Sequence, residues 1–523
     1  MIRRTTWARP RRRPFTLALA VTLVVVAAGI AAAVAIRSST SATTPPAAAH
    51  AASPSPPGSD TTRRPNIVFV LTDDLSIDLL PYMPQVQALQ SRGLTFDDYF
   101  VSDSLCCPSR SSIFTGDFPH DTGVFTNAGP GGGVRAFFKH GDERKSFNLT
   151  LQRAGYRTAM MGKYLNGYLE GPRRSPLAPS YVPPGWDEWD VAGWGYNEYD
   201  YNINQDGTVR HFGHGRDAYL TRVIARRGVR FINSSADAGQ PFFLELATFS
   251  PHFPYTPAPR DKHDFPGLRA PRPPNFDVLP TDPPSWLAGR GPLTPRQLRK
   301  NDRAFRRRAQ AVQSVDRMIA AIEAALARRN LVNDTYIVFS SDNGLHTGEY
   351  RLMPGKLTAF DPDIHVPLVI SGPGVPHGAH TDAMTENVDL ASTFAAIAHS
   401  TLPSDGHSLM PLLSGASPGD WRNAVLIEHH GPADAADDPD RQTSISGNPT
   451  TYEAMRTPRL LYVEYSDGEK EFYDLQTDPY ELHNIASELN AGELTNLHDE
   501  LSALENCHGP SACWAAGHVA STP

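Results

Sequence analysis

Four apolar runs, each ending in polar groups, organise the middle of the chain. Asn66-Ile-Val-Phe-Val-Leu71 passes into Thr72-Asp73-Asp74, and Tyr336-Ile-Val-Phe339 passes into Ser340-Ser341-Asp342-Asn343-Gly344. Tyr156-Arg-Thr-Ala-Met-Met161 ends in Gly162-Lys163, and the run from Phe242 to Phe249 ends in Ser250-Pro251-His252. Short runs that are mostly apolar, rather than alternating, predict strands covered on both faces. Val312, Val315, Ile319, Ile322 and Leu326 recur at three- and four-residue spacing just before the Tyr336 run, which predicts a helix packed by one face. Strands alternating with helices predict an α/β fold with a mostly parallel sheet sandwiched by helices. Ligands collect beyond the carboxyl ends of such strands. Asp73, Asp74, Lys163, His252, Asp342 and Asn343 are therefore expected on one rim.

Residues 254–299 are rich in proline and lack periodicity, so they read as a long surface excursion near that rim. Beyond about Ser400 the pattern changes. Tyr452-Glu-Ala-Met-Arg456, Leu460-Leu-Tyr-Val-Glu-Tyr465 and Glu471-Phe-Tyr-Asp474 predict a short antiparallel sheet, followed by a helix over 491–504. The expected division is a catalytic domain at 65–405 and a smaller α+β carboxyl-terminal subdomain at 406–523.

Composition changes the picture mainly at the amino end. The chain has 523 residues, 40% hydrophobic and 20% charged, which excludes a disordered tail protein. Its first 64 residues hold nine arginines and one acid, leaving 39 basic against 55 acidic residues in the remainder. A body that acidic is a poor binder of nucleic acid, and none is expected as a partner. Residues 1–14 form a basic segment ahead of an uncharged stretch, 15–36, long enough to span a bilayer. That stretch reads equally as a membrane anchor with the remainder outside, or as the apolar core of a cleaved signal. Arg12-Arg13 also resembles a twin-arginine export signal. Residues 37–64, rich in Pro, Ser, Thr and Ala, read as a linker. Either way the body is expected outside the cytoplasm, where Cys507 and Cys513, six apart, predict a small disulfide. Cys106 and Cys107 are adjacent and would pair with each other only under strain.

Asp73-Asp74 and Asp342-Asn343 offer oxygen donors without clustered Cys or His, a set that selects calcium, or less readily magnesium, over zinc. The most specific feature is Cys106-Cys107-Pro108-Ser109-Arg110, followed by Thr115-Gly116. With Asp-Asp upstream and Ser-Asp-Asn-Gly downstream in the same order, it resembles the signature of type I sulfatases, whose first cysteine is oxidised to formylglycine. The similarity runs over about 65–487.

The resemblance implies an alkaline-phosphatase-like fold and hydrolysis of sulfate esters. A hydrated aldehyde at position 106 would carry one hydroxyl to attack sulfur and a second to release sulfate, a form of nucleophilic catalysis that serine could not complete. It implies metal ligation by Asp73, Asp74, residue 106, Asp342 and Asn343, catalytic roles for Arg110, Lys163, His252 and Lys356, and a formylglycine-generating enzyme as a maturation partner. Lysine is rare, seven against 41 arginines, yet Lys163 and Lys356 both follow glycine at matching positions. His346 has a lesser claim to contact substrate. Many family members have Gly-Lys-Trp-His where this chain has Gly162-Lys-Tyr-Leu165-Asn166, so either Asn166 replaces the lost hydrogen bond to substrate or His252 carries the acid role. Gly-Lys-Tyr-Leu-Asn, Pro184-Gly-Trp186, Tyr199-Asp-Tyr-Asn202 and the end motif Cys507 to Cys513 look like the branch of N-acetylglucosamine-6-sulfatases and heparan endosulfatases. The substrate implied is a sulfated amino sugar. The alternatives are an aryl sulfate, a phosphate or phosphonate ester on the same scaffold, or a non-catalytic glycan-binding ectodomain.

Overall fold

The computed structural model describes residues 64–171, 174–433, 438 and 440–520. The expected basic segment and the anchor or signal at 15–36 lie outside these residues, as does nearly all of the linker. No helix among the described residues is long and apolar enough to cross a membrane.

Ten strands form the main sheet: β1 (Asn66–Thr72), β2 (Leu94–Phe96), β3 (Arg157–Lys163), β4 (Glu188–Gly193), β5 (Tyr201–Gln205), β6 (Thr208–Phe212), β7 (Phe242–Ala247), β8 (Thr335–Ser341), β9 (Leu368–Ser371) and β10 (Ala379–Thr381). Their order is β10-β2-β9-β8-β1-β7-β3-β4-β5-β6. The central five, β8 to β4, run parallel, with Val68 of β1 opposite both Leu244 of β7 and Ile337 of β8. Antiparallel pairing appears only toward the edges, at β9 and at β5 and β6. This is the mostly parallel sheet that the apolar runs predict.

Its placement between two cores explains why those runs do not alternate. Along β1, Ile67, Phe69 and Leu71 pack in one core with Phe243 and Val338, while Val68 and Val70 pack in the other with Leu244 and Phe339. Successive strand side chains point to opposite faces, and both faces are covered. The first core is capped by α1 (Cys106–Thr115) and α2 (Gly133–His140), through Ile113, Phe114, Val134 and Phe137. The second is capped by α3 (Leu220–Ala238) and α4 (Pro295–Arg328), with Phe231, Val312, Ile319 and Ile322 turned inward.

The start of α4 corrects the expected excursion. Thr294 caps the helix, accepting from the Gln297 amide while the Gln297 side chain accepts from Thr294, so residues 295–299 are helical. The cap sets this end because the charged first turns carry no apolar stripe. Residues 248–294 form no regular helix or strand.

The smaller carboxyl-terminal part carries an antiparallel sheet of β11 (Val425–His429), β12 (Tyr452–Arg456), β13 (Leu460–Tyr465) and β14 (Lys470–Asp474), paired in chain order. Three of these were legible in the sequence, and β11 was not. Leu497, Leu501 and Leu504 of α5 (Ala491–Glu505) pack with Leu426, Met455 and Tyr462 from one face of that sheet. Cys507 and Cys513 are joined as a disulfide.

Gly162 shows how tightly the strand ends are packed. It has φ +106°, and a Cβ there would lie 1.8 Å from the Ala247 carbonyl oxygen of β7. Only glycine lets β3 reach Lys163 beside β7. Gly162→Ala is expected to destabilise the chain by about 2 kcal/mol or more, visible as a lower melting temperature, and to remove activity with it. A variant of wild-type stability and activity would contradict this account.

Candidate functional site

The carboxyl ends of the central strands deliver the site. β1 leads into Asp73 and Asp74, β8 into Asp342 and Asn343, and β3 ends on Lys163, while His252 follows β7 by five residues. Across this rim lies the amino end of α1, with Cys106 and Cys107 in its first turn and Arg110 one turn on, all fully or nearly fully buried. Lys356 arrives on a turn tied by paired backbone hydrogen bonds between His346 and Gly355.

Ion pairs and hydrogen bonds knit these groups together. Lys163 Nζ donates to Asp73 Oδ2 at 2.7 Å, and Lys356 Nζ to Asp74 Oδ1 at 2.7 Å. Arg110 Nε donates to Asp342 Oδ2 at 2.7 Å, and its Nη1 to the Lys163 carbonyl at 3.1 Å. Asn343 Nδ2 donates to Asp74 Oδ1 at 2.7 Å, and the Asp74 amide to Asp342 Oδ1 at 3.1 Å. Cys106 Sγ sits at the centre, 3.3 Å from Asp73 Oδ1 and 2.9 Å from Lys356 Nζ. His252 donates from Nδ1 to the Phe253 carbonyl at 2.7 Å, which leaves Nε2 facing Asp74 Oδ2 at 3.5 Å.

Burial and charge oppose each other here. Burial lifts the Asp73 carboxyl to about 6 even against Lys163. At Asp342 burial is overcome by Arg110, with Lys163 and Lys356 behind it, and the carboxyl is held down at about 2. Burial, then Asp440 and Asp73, push the Cys106 thiol well above its ordinary value, so it is not an activated thiolate. Burial favours neutral His252, but Asp440, Asp74 and Asp73 together raise it to about 9.

The donor set fits a hard divalent cation. Asp73 and Asp74 lie beside Asp342, whose oxygens accept from Arg110 and from the Asp74 and Asn343 amides, and beside Asn343, whose buried Oδ1 has no hydrogen-bond partner among the described residues. Asp73, Asp74, Cys106 and His252 each place a potential ligand atom within 4.8 Å of the others. Carboxylate oxygens beside an unpartnered amide oxygen are donors of the kind calcium or magnesium accepts.

Two residues expected to contact substrate also have internal partners. Asn166 Oδ1 lies 3.5 Å from the Cys107 thiol and its Nδ2 donates to the Tyr196 hydroxyl at 3.2 Å, while its amide donates to Cys107 Sγ at 3.0 Å. The second cysteine therefore anchors the Asn166 loop. His346 is held by Asp363 through Nδ1 at 2.9 Å and by the Ser446 carbonyl through Nε2 at 3.0 Å, so its ring braces the Lys356 turn.

Sequence reasoning missed three buried residues at the site. Asp440 contacts His252 Nε2 and lies 3.7 Å from Lys356 Nζ and 3.4 Å from Cys106 Sγ. Asn127 donates from Nδ2 to Asp440 Oδ2 at 2.7 Å and accepts the Cys107 amide on Oδ1 at 2.9 Å. Tyr196 places its ring 5.2 Å from Lys163 Nζ and 4.6 Å from the His252 ring. None belongs to a local motif.

Comparison with known proteins agrees with this geometry. The model of the Sulfatase family matches residues 65–400, and a model described as N-sulphoglucosamine sulphohydrolase, C-terminal, matches 348–507. The N-acetylglucosamine-6-sulfatase of Homo sapiens is 34% identical over 479 residues, covering 86% of each chain. The extracellular sulfatase SULF-1 homolog of Drosophila melanogaster is 34% identical over 388 residues, 72% of this chain and 34% of that one. Among solved structures, one in complex with its substrate D-glucosamine-2-N,6-O-disulfate superposes with TM-score 0.68 at 23% identity, covering 84% of this chain and 97% of that one. The phosphonate monoester hydrolase of Agrobacterium radiobacter superposes with TM-score 0.65 at 21% identity, over 84% and 96%, so the scaffold is shared beyond sulfate esters. With the family model spanning the sheet and every residue of the rim, the chain belongs to the sulfatase family of sulfuric ester hydrolases.

Proposed function

We propose that this sulfatase releases sulfate from a sulfated amino sugar of the N-acetylglucosamine 6-sulfate type, outside the cytoplasm, using a formylglycine at position 106 and one calcium ion. The observation that carries the reading is the convergence of Lys163, Lys356 and His252 on residue 106, beside these oxygen donors. The relatives named for N-acetylglucosamine 6-sulfate and for extracellular sulfatase activity support the sugar and the location. We also read 65–405 and 406–523 as its two domains.

Conversion of Cys106 is supported by the thiol itself. Burial among carboxylates keeps it protonated, which makes an unconverted cysteine a poor nucleophile. The hydrated aldehyde supplies a hydroxyl to attack sulfur and a second that allows sulfate to leave. Asp73, Asp74, Asp342 and Asn343 would hold the cation, which supplies Lewis acidity toward a sulfate oxygen.

The chain's own residues do the remaining work. Lys163 and Lys356, fixed by Asp73 and Asp74, hold positive charge against the sulfate oxygens where it strengthens as they gain charge. Arg110 orients residue 106 from the next turn of α1 while anchored to Asp342. His252, its Nδ1 proton fixed on Phe253, presents Nε2 to donate a proton to the departing sugar oxygen. The acid role falls on His252 because Leu165 replaces the family histidine and a carboxamide such as Asn166 has no acidic proton to give near neutral pH, while Asp440 beside Nε2 favours the protonated ring.

The reading is tested by sulfate release from N-acetylglucosamine 6-sulfate beside a simple aryl sulfate, with conversion of Cys106 verified by peptide mass. Preference for the sugar is expected. Activity on the aryl ester alone would discard the sugar, and activity on neither after full conversion would overturn the sulfate reading in favour of phosphorus esters. Lys163→Ala is expected to lower kcat/KM about 100-fold or more, the scale of one lost transition-state contact, and near-normal turnover would remove Lys163 from the mechanism. Chelation of divalent ions is expected to abolish turnover, with calcium restoring it better than magnesium; full activity in the metal-free protein would exclude these donors as a cofactor site.

A further inference from the structure

Tyr196 carries a hydrogen-bond donor that the proposed chemistry leaves unused. It stands on the short 3-10 turn Gly195–Asn197 that follows β4. A Cβ at Gly195 would lie 2.5 Å from Leu220 Cδ2 and 2.6 Å from Phe249 Cε2, so glycine lets this turn lie close against both side chains. The buried Tyr196 ring is wedged in place, edge to face with Phe249 and with Trp194 at centroid distances of 5.0 and 5.4 Å. It also borders Lys163 Nζ, at 5.2 Å, and the His252 ring, at 4.6 Å.

A phenol both accepts and donates, and here only the accepting side is filled. Its oxygen accepts from Asn166 Nδ2 at 3.2 Å, and among the described residues nothing accepts its proton. The Asn166 amide is oriented from behind. Its Oδ1 lies 3.5 Å from the Cys107 thiol, which has a proton to give, while its backbone amide donates to Cys107 Sγ at 3.0 Å. Burial keeps that thiol protonated. Hydrogen bonds therefore run in one direction, from Cys107 through Asn166 to the Tyr196 oxygen, and leave the phenolic proton to a group that enters the pocket. Burial, then Asp440 and Asp73, hold the phenol in its protonated form. A buried donor without an acceptor is costly, and an incoming oxyanion relieves that cost.

We propose that the Tyr196 hydroxyl donates a hydrogen bond to a non-bridging oxygen of the bound sulfate group, beside Lys163, and that Cys107 and Asn166 hold it in position. The sulfate is the partner because the same ring borders Lys163 and His252, the groups that face the sulfate oxygens and the departing oxygen. A neutral donor next to two cations suits an acceptor that carries charge, and hydrogen bonds to ionised acceptors are the strong ones. Cys107 thereby acts as a positioning residue without touching substrate. The proposal rests on the sulfatase reading of residue 106, and the measurements below separate the two.

Binding of inorganic sulfate is measured by calorimetry to the full-length Cys106→Ala protein with calcium, which needs no turnover. Adding Tyr196→Phe keeps the ring against Lys163 and His252 and removes only the hydroxyl. It is expected to weaken sulfate binding about tenfold or more, the scale of one hydrogen bond to a charged group. Adding Cys107→Ala instead is expected to weaken binding to a lesser degree, and Cys107→Ser, which keeps a donor and an acceptor, to restore it. In the Tyr196→Phe background Cys107→Ala is expected to change nothing further, because a positioning effect needs the hydroxyl that it positions. Unchanged sulfate affinity in Tyr196→Phe, or losses from the two substitutions that multiply as independent sites do, would overturn the proposal. Turnover of N-acetylglucosamine 6-sulfate and of an aryl sulfate by the converted wild-type enzyme reports separately on the sulfatase reading.

Discussion

The rest of the structure depends on concentrating opposite charges where water scarcely reaches. Asp73, Asp74, Asp342 and Asp440 meet Arg110, Lys163, Lys356 and His252 in a pocket where no side chain of the group exceeds 4% exposure. Buried charges on this scale persist only when paired and hydrogen-bonded, and removing one partner strands the other. The pairing is specific: Arg110 holds Asp342, Lys163 holds Asp73 and Lys356 holds Asp74. Such a centre contributes little to stability for its cost in desolvation, so its value lies in charge held ready for an anion.

The sheet meets that cost with a backbone that cannot readily shift. Five parallel strands buried between two cores end together, so residues as distant in sequence as Asp73 and Asp342 arrive side by side. The Asp342 amide donates to the Thr72 carbonyl at 3.1 Å, continuing the β1–β8 ladder one step into the site. The placement of these acids is thus inherited from strand register, and a slip of one residue would turn them to the opposite face.

Legibility in the sequence followed locality. The strand ends were readable because unbroken apolar runs stop abruptly at polar pairs, and the Cys106 to Arg110 segment because its chemistry lies within one helical turn. The internal partners of Asn166 and His346 were not readable. A motif position gives the residue but not the direction of its hydrogen bonds, and here those go to Cys107 and Tyr196, and to Asp363 and Ser446. Asn127, Tyr196 and Asp440 were missed for the complementary reason: each reaches the pocket by tertiary approach alone, Asn127 and Asp440 from irregular segments and Tyr196 from one short 3-10 turn. The start of α4 escaped because a cap, not periodicity, decides it.

The smaller sheet is part of this same charge problem. Lys356 sits in a turn that the main sheet does not hold by itself, and the carboxyl-terminal part secures it from several directions. The Tyr452 hydroxyl of β12 donates to the Leu357 carbonyl at 3.0 Å, and the Ser446 carbonyl holds the His346 ring. Arg456, at the end of β12, grips Asp361 through Nε and Nη2, both at 3.0 Å. Asp363, two residues on, accepts from the His346 ring and from the Thr358 hydroxyl, closing a network around the turn. A lysine on a flexible four-carbon stem directs its charge only when its backbone is fixed. The second family match, residues 348–507, takes in Lys356 and its turn as well as the smaller sheet that braces them.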